Sequence, residues 1–344
     1  MTIELPVLRL GLAGFSEAQL KAAAEAARAA GTPRASWEIT AFGDADAWWL
    51  EGRRTMLLPN KHLRVQPAVP SGRSVQIALA DVDRPVAFSL PLAAPDFKPA
   101  MTFQLEDRRA AVQVLHEFAD FLQSVLGQFC LAASIADNQP TLGAGSWEVL
   151  RQGELLAVVD LKLGAAVDPS AAPADFDGAI WCLREPGAVM IPVNWPRASV
   201  SQLMWQYAQR TQRDLLPPHY RSKPLYFRRP PRLAQRQLKD AHLLLMRELV
   251  TQPGMGFEAL QHSTGLGEVP LARCLSALYV VGSITSNPRR ASAAASLAAG
   301  ARDSVPPKQS LFESELDSSL RTSELARHAA SDLTAPLPLP VFRD

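Results

Sequence analysis

The stretch "RSKPLYFRRPPRLAQRQLKD" (221–240) sets Arg221, Lys223, Arg228, Arg229, Arg232, Arg236 and Lys239 in a row before a single carboxylate, Asp240. The whole chain has a formal net charge of only +1, so this is a local concentration of cations. Its chemistry is that of anion binding, because guanidinium groups take phosphate oxygens in a fork and ammonium groups take them as point charges. If a helix starts at Pro231, where proline suits the first turn, Arg232, Arg236 and Lys239 share one face at about 100° per residue. Leu238, Ala241, Leu245 and Leu249 then lie opposite. Cations at a helix N-terminus oppose the helix dipole, and a bound anion reverses that cost.

Arg273, Arg289 and Arg290 extend the candidate set for an anion, nucleic acid or a protein partner. The spacing Arg232-x-x-x-Arg236 resembles the arginine spacing of PilZ-type cyclic-di-GMP receptors, although their Asp/Asn-x-Ser-x-x-Gly run is missing. That resemblance implies a cyclic dinucleotide as one ligand, beside nucleic acid. Pairing with acidic residues of neighbouring domains accounts for the same cations without any ligand.

Catalytic patterns fail elsewhere. "GLAGFSEA" (11–18) lacks the glycine–lysine of a phosphate loop and the third glycine of a dinucleotide fingerprint. "HEFAD" (116–120) has Asp120 where a zinc protease needs its second histidine. The histidines at 62, 116, 219, 242, 262 and 328 are not at ligand spacing. There is no GxSxG elbow. Asp44 and Asp46 in "GDADAW" (43–48) read as solvated turn residues ahead of a strand. Of the adjacent Trp48 and Trp49, alternation sends one ring into a core and leaves the other for a neighbouring domain to cover. The expectation is therefore no catalytic, metal or cofactor site.

A chain of 344 residues is long for one core and fits two or three domains. At 47% hydrophobic and 20% charged residues it reads as globular. Its charge balance argues against a protein that coats nucleic acid over its whole surface. Cys130, Cys182 and Cys274 are far apart and form no CxxC. This predicts neither a disulfide scaffold nor structural zinc, and a cytoplasmic, reducing setting. No signal-peptide pattern opens the chain, and no apolar run reaches the roughly 18 residues of a membrane span.

Several elements position these residues. "VLRLGLAGF" (7–15) reads as a buried strand, followed by a capping box at Ser16 and Gln19 and an alanine-rich helix that stops at Gly31. Further strands are expected at "SWEIT" (36–40), "AWWLEG" (47–52), "VQIALA" (75–80) and "VAFSLPL" (86–92). This strand–helix–strands order over residues 1–98 resembles the receiver (CheY-like) fold. The resemblance implies a largely parallel sheet with an acidic pair after the first strand, a phosphorylated aspartate after the third and a lysine after the fifth. Those places read "AGF", "LEGR" and "PLAAP" here. Glu51 falls near the phosphoacceptor position, and the acidic pair and lysine are missing, so the expectation is a degenerate receiver that does not take phosphate.

Residues 99–215 read as an α+β domain. It contains a long amphipathic helix over 105–129, a hairpin in "WEVLRQGELLAVVDL" (147–161), a strand near 176–183 and a helix over 198–211 capped by Ser199 with Gln202. Prolines 217, 218, 224, 230 and 231 mark 216–232 as an extended basic connector. Residues 233–290 hold helices at 233–252, 257–265 and 269–282, then "SITSNPRR" as a strand entering a wing. That order resembles winged-helix domains, which as a family tend to bind DNA through the third helix, and protein docking fits this apolar helix about as well. Only Arg273, Ser276 and Glu268 are placed there to reach base edges, with Arg289 and Arg290 for phosphates. Residues 291–344 are rich in alanine, serine and proline and read as a disordered tail. Within it, 310–330 has the pattern of a transient amphipathic helix.

The expected protein is thus α/β plus α+β and multidomain. Its expected role is that of a non-catalytic cytoplasmic regulatory adaptor working through protein contacts, with a phosphate-bearing ligand on the basic segment. The alternative is a DNA-binding transcriptional regulator, with an enzyme of unrecognised type third.

Overall fold

The computed structural model describes residues 3–69, 72–93, 97–139, 141–143, 145–185 and 190–291, apart from the side chain of Arg236. The expected tail at 291–344 lies, beyond Ala291, outside the described residues. The fold is mixed α/β with several sheets. No single described helix is long and apolar enough to cross a membrane.

The first unit opens with β1 (Val7–Ala13), α1 (Glu17–Ala29), β2 (Ser36–Thr40) and β3 (Ala47–Glu51). The predicted capping box starts α1: the Ser16 hydroxyl accepts from the Gln19 N–H, and the Gln19 side chain accepts from the Ser16 N–H. A three-stranded excursion follows, β4 (Thr55–Leu57), β5 (His62–Val65) and β6 (Val75–Ala78), before the chain returns in β7 (Val86–Ser89) and β8 (Thr102–Phe103). The main sheet has the order β2-β1-β3-β7-β8 and is parallel throughout. The "VQIALA" strand is not part of it, because β4, β5 and β6 form a separate antiparallel sheet.

Strand alternation divides the main sheet's side chains between two cores. Leu8, Leu10, Ala47, Trp49 and Ala87 face α1 and α2 (Arg108–Phe121). Ala13, Trp48, Leu50 and Phe88 face Leu63, Val65 and Ile77 of the small sheet. A parallel sheet needs cover on both faces, and here antiparallel strands supply what helices usually do. Trp49 is fully buried. Trp48 stacks on Phe42 at 4.7 Å and lies under Arg84 at 4.6 Å, so its cover comes from its own unit and not from a neighbouring domain.

The long helix expected at 105–129 is instead two helices, α2 and α3 (Gln123–Asn138), bent by 62° at Leu122. The physical reason is that α2 packs into the first core and most of α3 into the next, which one straight apolar stripe cannot do. That next core lies on β9 (Ser146–Arg151), β10 (Glu154–Asp160) and β11 (Gly164–Val167), followed by α4 (Pro173–Phe176), β12 (Ile180–Leu183) and β13 (Arg197–Ala198). Their antiparallel order is β12-β9-β10-β11-β13, with α3 and α5 (Val200–Arg210) packed on the sheet. Ser199 caps α5 by accepting from the Gln202 N–H, as expected.

The last core joins α5 to α6 (His219–Ser222), β14 (Tyr226–Phe227), α7 (Asp240–Thr251), α8 (Phe257–Thr264), α9 (Glu268–Val280) and β15 (Ile284–Thr285). The helix expected from Pro231 begins only at Asp240, after a 3₁₀ turn at Gln235–Gln237. The Lys239 N–H is taken by His242 Nδ1, which makes Lys239 the cap and not a residue on the helix face. The common face of Arg232, Arg236 and Lys239 is therefore not formed. The strand after α9 exists, but it pairs with Tyr226–Phe227 from before α7 and not with a following wing strand.

Candidate functional site

The two ends of the parallel sheet differ in what they bury. At the C-terminal end, ligands of open α/β sheets ordinarily bind outside the strand ends, where the strand order reverses. Here that position, between β1 and β3, is filled by the chain itself. Gly14 turns there with φ +85°, and a Cβ on it would lie 2.9 Å from Val65 Cγ1 and 3.0 Å from Glu51 Cβ. Glu51 is only 4% exposed, and its Oε2 has no hydrogen-bond partner. Burial raises its pKa, while the backbone N–H and guanidinium of Arg54, with Arg53, pull it down. The Ser89 hydroxyl accepts from the Gly52 N–H, and Thr55 donates to the Glu51 carbonyl at 2.8 Å.

At the N-terminal end lies an open cavity of about 370 Å³ between the parallel sheet, the bend at Leu122, α5 and the start of α7. Asp46 anchors its floor. Its carboxylate accepts from Arg210 Nη1 at 2.7 Å and Nη2 at 2.5 Å, and from the Arg9 N–H at 3.0 Å. The Asp46 N–H donates back to the Arg9 carbonyl. Arg9 reaches the Gln209 carbonyl through Nη2 at 2.7 Å, and Glu38 at 3.4 Å. Burial and the neighbouring Arg210 charge lower the Arg9 pKa, whereas the paired Asp46 carboxylate brings the Arg210 pKa to a net rise against its burial. Asp46 is thus a buried tertiary ion-pair partner and not a solvated turn residue. Asp44 lies nearer the rim and pairs with Lys239 at 2.7 Å, both side chains being half exposed.

Beside the cavity His242 is fully buried, 4.6 Å from the Trp205 ring, with Nε2 2.9 Å from the Gln209 amide. Because Nδ1 accepts from Lys239, Nε2 carries the proton of the neutral ring and the Gln209 oxygen must face it. Burial first, then the Lys239 charge, lowers the His242 pKa to about 4.

The cations predicted from sequence are spread around the last unit. Arg221 bonds Asp214 at 2.8 Å and Glu268 at 3.3 Å, and lies 5.2 Å from the Phe257 ring centre. Arg228 and Arg229 flank Gly282, where Arg229 donates to the Val281 carbonyl. Arg232 is exposed, and the Arg236 side chain lies outside the described residues. Arg289 and Arg290 follow the Asn287 turn. Among the described side chains of this set only Lys239 lines the cavity. Arg273 is half-buried on α9, and its charge is felt at Arg9. Helix α9 is itself packed against α5, with Ser276 only 4% exposed, so it does not offer that side chain to base edges.

Sequence reasoning missed Arg9, Arg210, Gln128, Trp205 and Gln209. The only signal near them was the "GDADAW" acid pair. Among the described residues no cluster of three His, Cys, Asp or Glu is placed to hold a metal. Comparison with family models, curated proteins and solved structures finds no match to this chain.

Proposed function

We propose that this protein is a non-catalytic regulatory adaptor that holds other proteins. The observation that carries this reading is the outer edge of the second sheet. Among the described residues β12 pairs only with β9, and Ile180 and Leu183 on it are 63% and 59% exposed. An exposed apolar edge strand is a template for strand addition by a partner. The same unit also leaves Leu163, Met190 and Val193 largely in solvent.

The parallel sheet supports the reading from the other side. Its order is that of flavodoxin-like folds, CheY among them. With Glu51 buried at the end of β3, the unit is best understood as a degenerate receiver kept for contacts. The α7-α8-α9-β15 succession is the winged-helix-like part of the proposal, used for packing. Unpaired Cys130, Cys182 and Cys274 suit a reducing compartment.

The test is affinity capture at low salt with quantitative mass spectrometry, comparing wild type with the double variant Ile180→Lys, Leu183→Lys. A defined set of proteins held by wild type and released by the folded variant is the expected result. Equal capture by both, or none by either, overturns the reading.

A further inference from the structure

The cavity at the N-terminal end of the parallel sheet holds side chains that the ion pairs around it do not use. Gln128, on α3, is only 5% exposed and lines the cavity, yet its amide has no hydrogen-bond partner among the described residues. Trp205, on α5, is 2% exposed, also lines the cavity, and its indole N–H is likewise without a partner there. Gln206, one residue on and only half-buried, adds a second amide to the lining. None of these three groups is fully enclosed without a partner, so water in the open cavity reaches them, and a ligand that offers matching donors and acceptors can replace that water.

At the rim the cations have donors to spare. Arg84 gives Nε to Asp83 at 2.6 Å and Nη1 to the Ala45 carbonyl, leaving the rest of its five N–H groups. Lys239 gives one of its three to Asp44. Their partners are consecutive residues, Asp44 and Ala45, and both cations line the same cavity. Asp44 and Asp83 are 43% and 54% exposed, and rim pairs of this kind are weak and open readily. The Arg210–Asp46 pair below them is deep and bidentate, and remains as the floor.

We propose that this cavity binds a small phosphate monoester carrying a polar heterocycle, of nucleoside monophosphate size. The phosphate sits between Lys239 and Arg84, where a doubly charged group outcompetes single carboxylates. The ring edge meets the amides of Gln128 and Gln206, since a glutamine amide offers the adjacent donor and acceptor that a nucleobase edge matches. The Trp205 N–H supplies a further donor. A volume of about 370 Å³ lies at the low end of ordinary ligand pockets, so it admits one nucleotide and not a cyclic dinucleotide.

The test is calorimetry on the full chain, with intrinsic tryptophan fluorescence alongside. The probes are the ribonucleoside 5′-monophosphates, the parent nucleosides, inorganic phosphate and cyclic di-GMP. Saturable binding of at least one monophosphate is expected. It should weaken tenfold or more in Lys239→Gln and in Arg84→Gln, and several-fold in Gln128→Leu, with thermal melting confirming that each variant is folded. No monophosphate binding overturns the proposal. Inorganic phosphate binding as tightly as every monophosphate overturns the base contacts, and cyclic di-GMP binding in the same cavity overturns the size argument. The assay contains no protein partner, so its outcome is independent of the adaptor reading.

Discussion

Glu51 and Asp46 are buried at opposite ends of one strand, and the sheet treats them differently. Asp46 receives a bidentate guanidinium and a backbone N–H. Glu51 is buried beside the Gly14 turn with one oxygen unpartnered and a raised pKa. Desolvation penalises both carboxylates, but only Asp46 has a buried cation in direct contact to offset it. Asp46 thus ties α5 to the parallel sheet, whereas Glu51 makes no ion pair.

The largest expected effect comes from removing the anchor. Asp46→Ala leaves Arg210 buried without its partner and should cost about 3–5 kcal/mol in denaturant unfolding. Arg210→Met in the same chain should recover part of that loss. A cost under about 1 kcal/mol would mean that the pair is not what holds α5 to the parallel sheet.

Next is His242, beside the same anchor. Its folded pKa of about 4 lies below the ordinary value of 6.5. As pH falls through this window the unfolded chain takes up a proton that the folded chain does not. Stability should therefore drop on acidification from pH 6.5 to 4, by about 3 kcal/mol. In His242→Phe the unfolding free energy should vary less steeply over that window, and an unchanged slope would remove His242 from the account.

The closed end is then probed through its backbone. A Cβ at Gly52 would stand 2.1 Å from the Ser89 carbonyl oxygen, which a main chain cannot easily yield. Gly52→Ala should cost about 1–3 kcal/mol by overpacking, measured by thermal melting. An unperturbed melting curve would show the crevice to be looser than described.

The smallest effect belongs to Glu51 itself. Because its pKa is raised, its charged form works against folding at neutral pH, and stability should increase as pH falls through that pKa. Glu51→Gln should be neutral or stabilising by less than about 1 kcal/mol at pH 7, with the difference vanishing in acid. Acetyl phosphate with magnesium should leave no adduct on Glu51, Asp44 or Asp46. A stable adduct seen by mass spectrometry would reopen the crevice and with it the contrast between the two ends.

What the sequence by itself determined is local. The Ser16–Gln19 box starts α1, Ser199 with Gln202 starts α5, and Gly265 in the left-handed conformation ends α8. The alternation of Ala47, Trp48 and Trp49 sends the two rings to opposite faces of one sheet. These follow from geometry within one turn or one pleat, which neighbouring residues specify. Only the tertiary structure decided the bend at Leu122, the start of α7 at Asp240 and the placing of β4–β6 over Trp48 and Leu50, because each depends on which core a segment finds. It also decided the cavity, since Asp46 and Arg210 are 164 residues apart. An aspartate before a strand reads as solvated, and an arginine at the end of a helix carries no signal of a distant partner. They become a buried pair only when the sheet and α5 exclude the water between them.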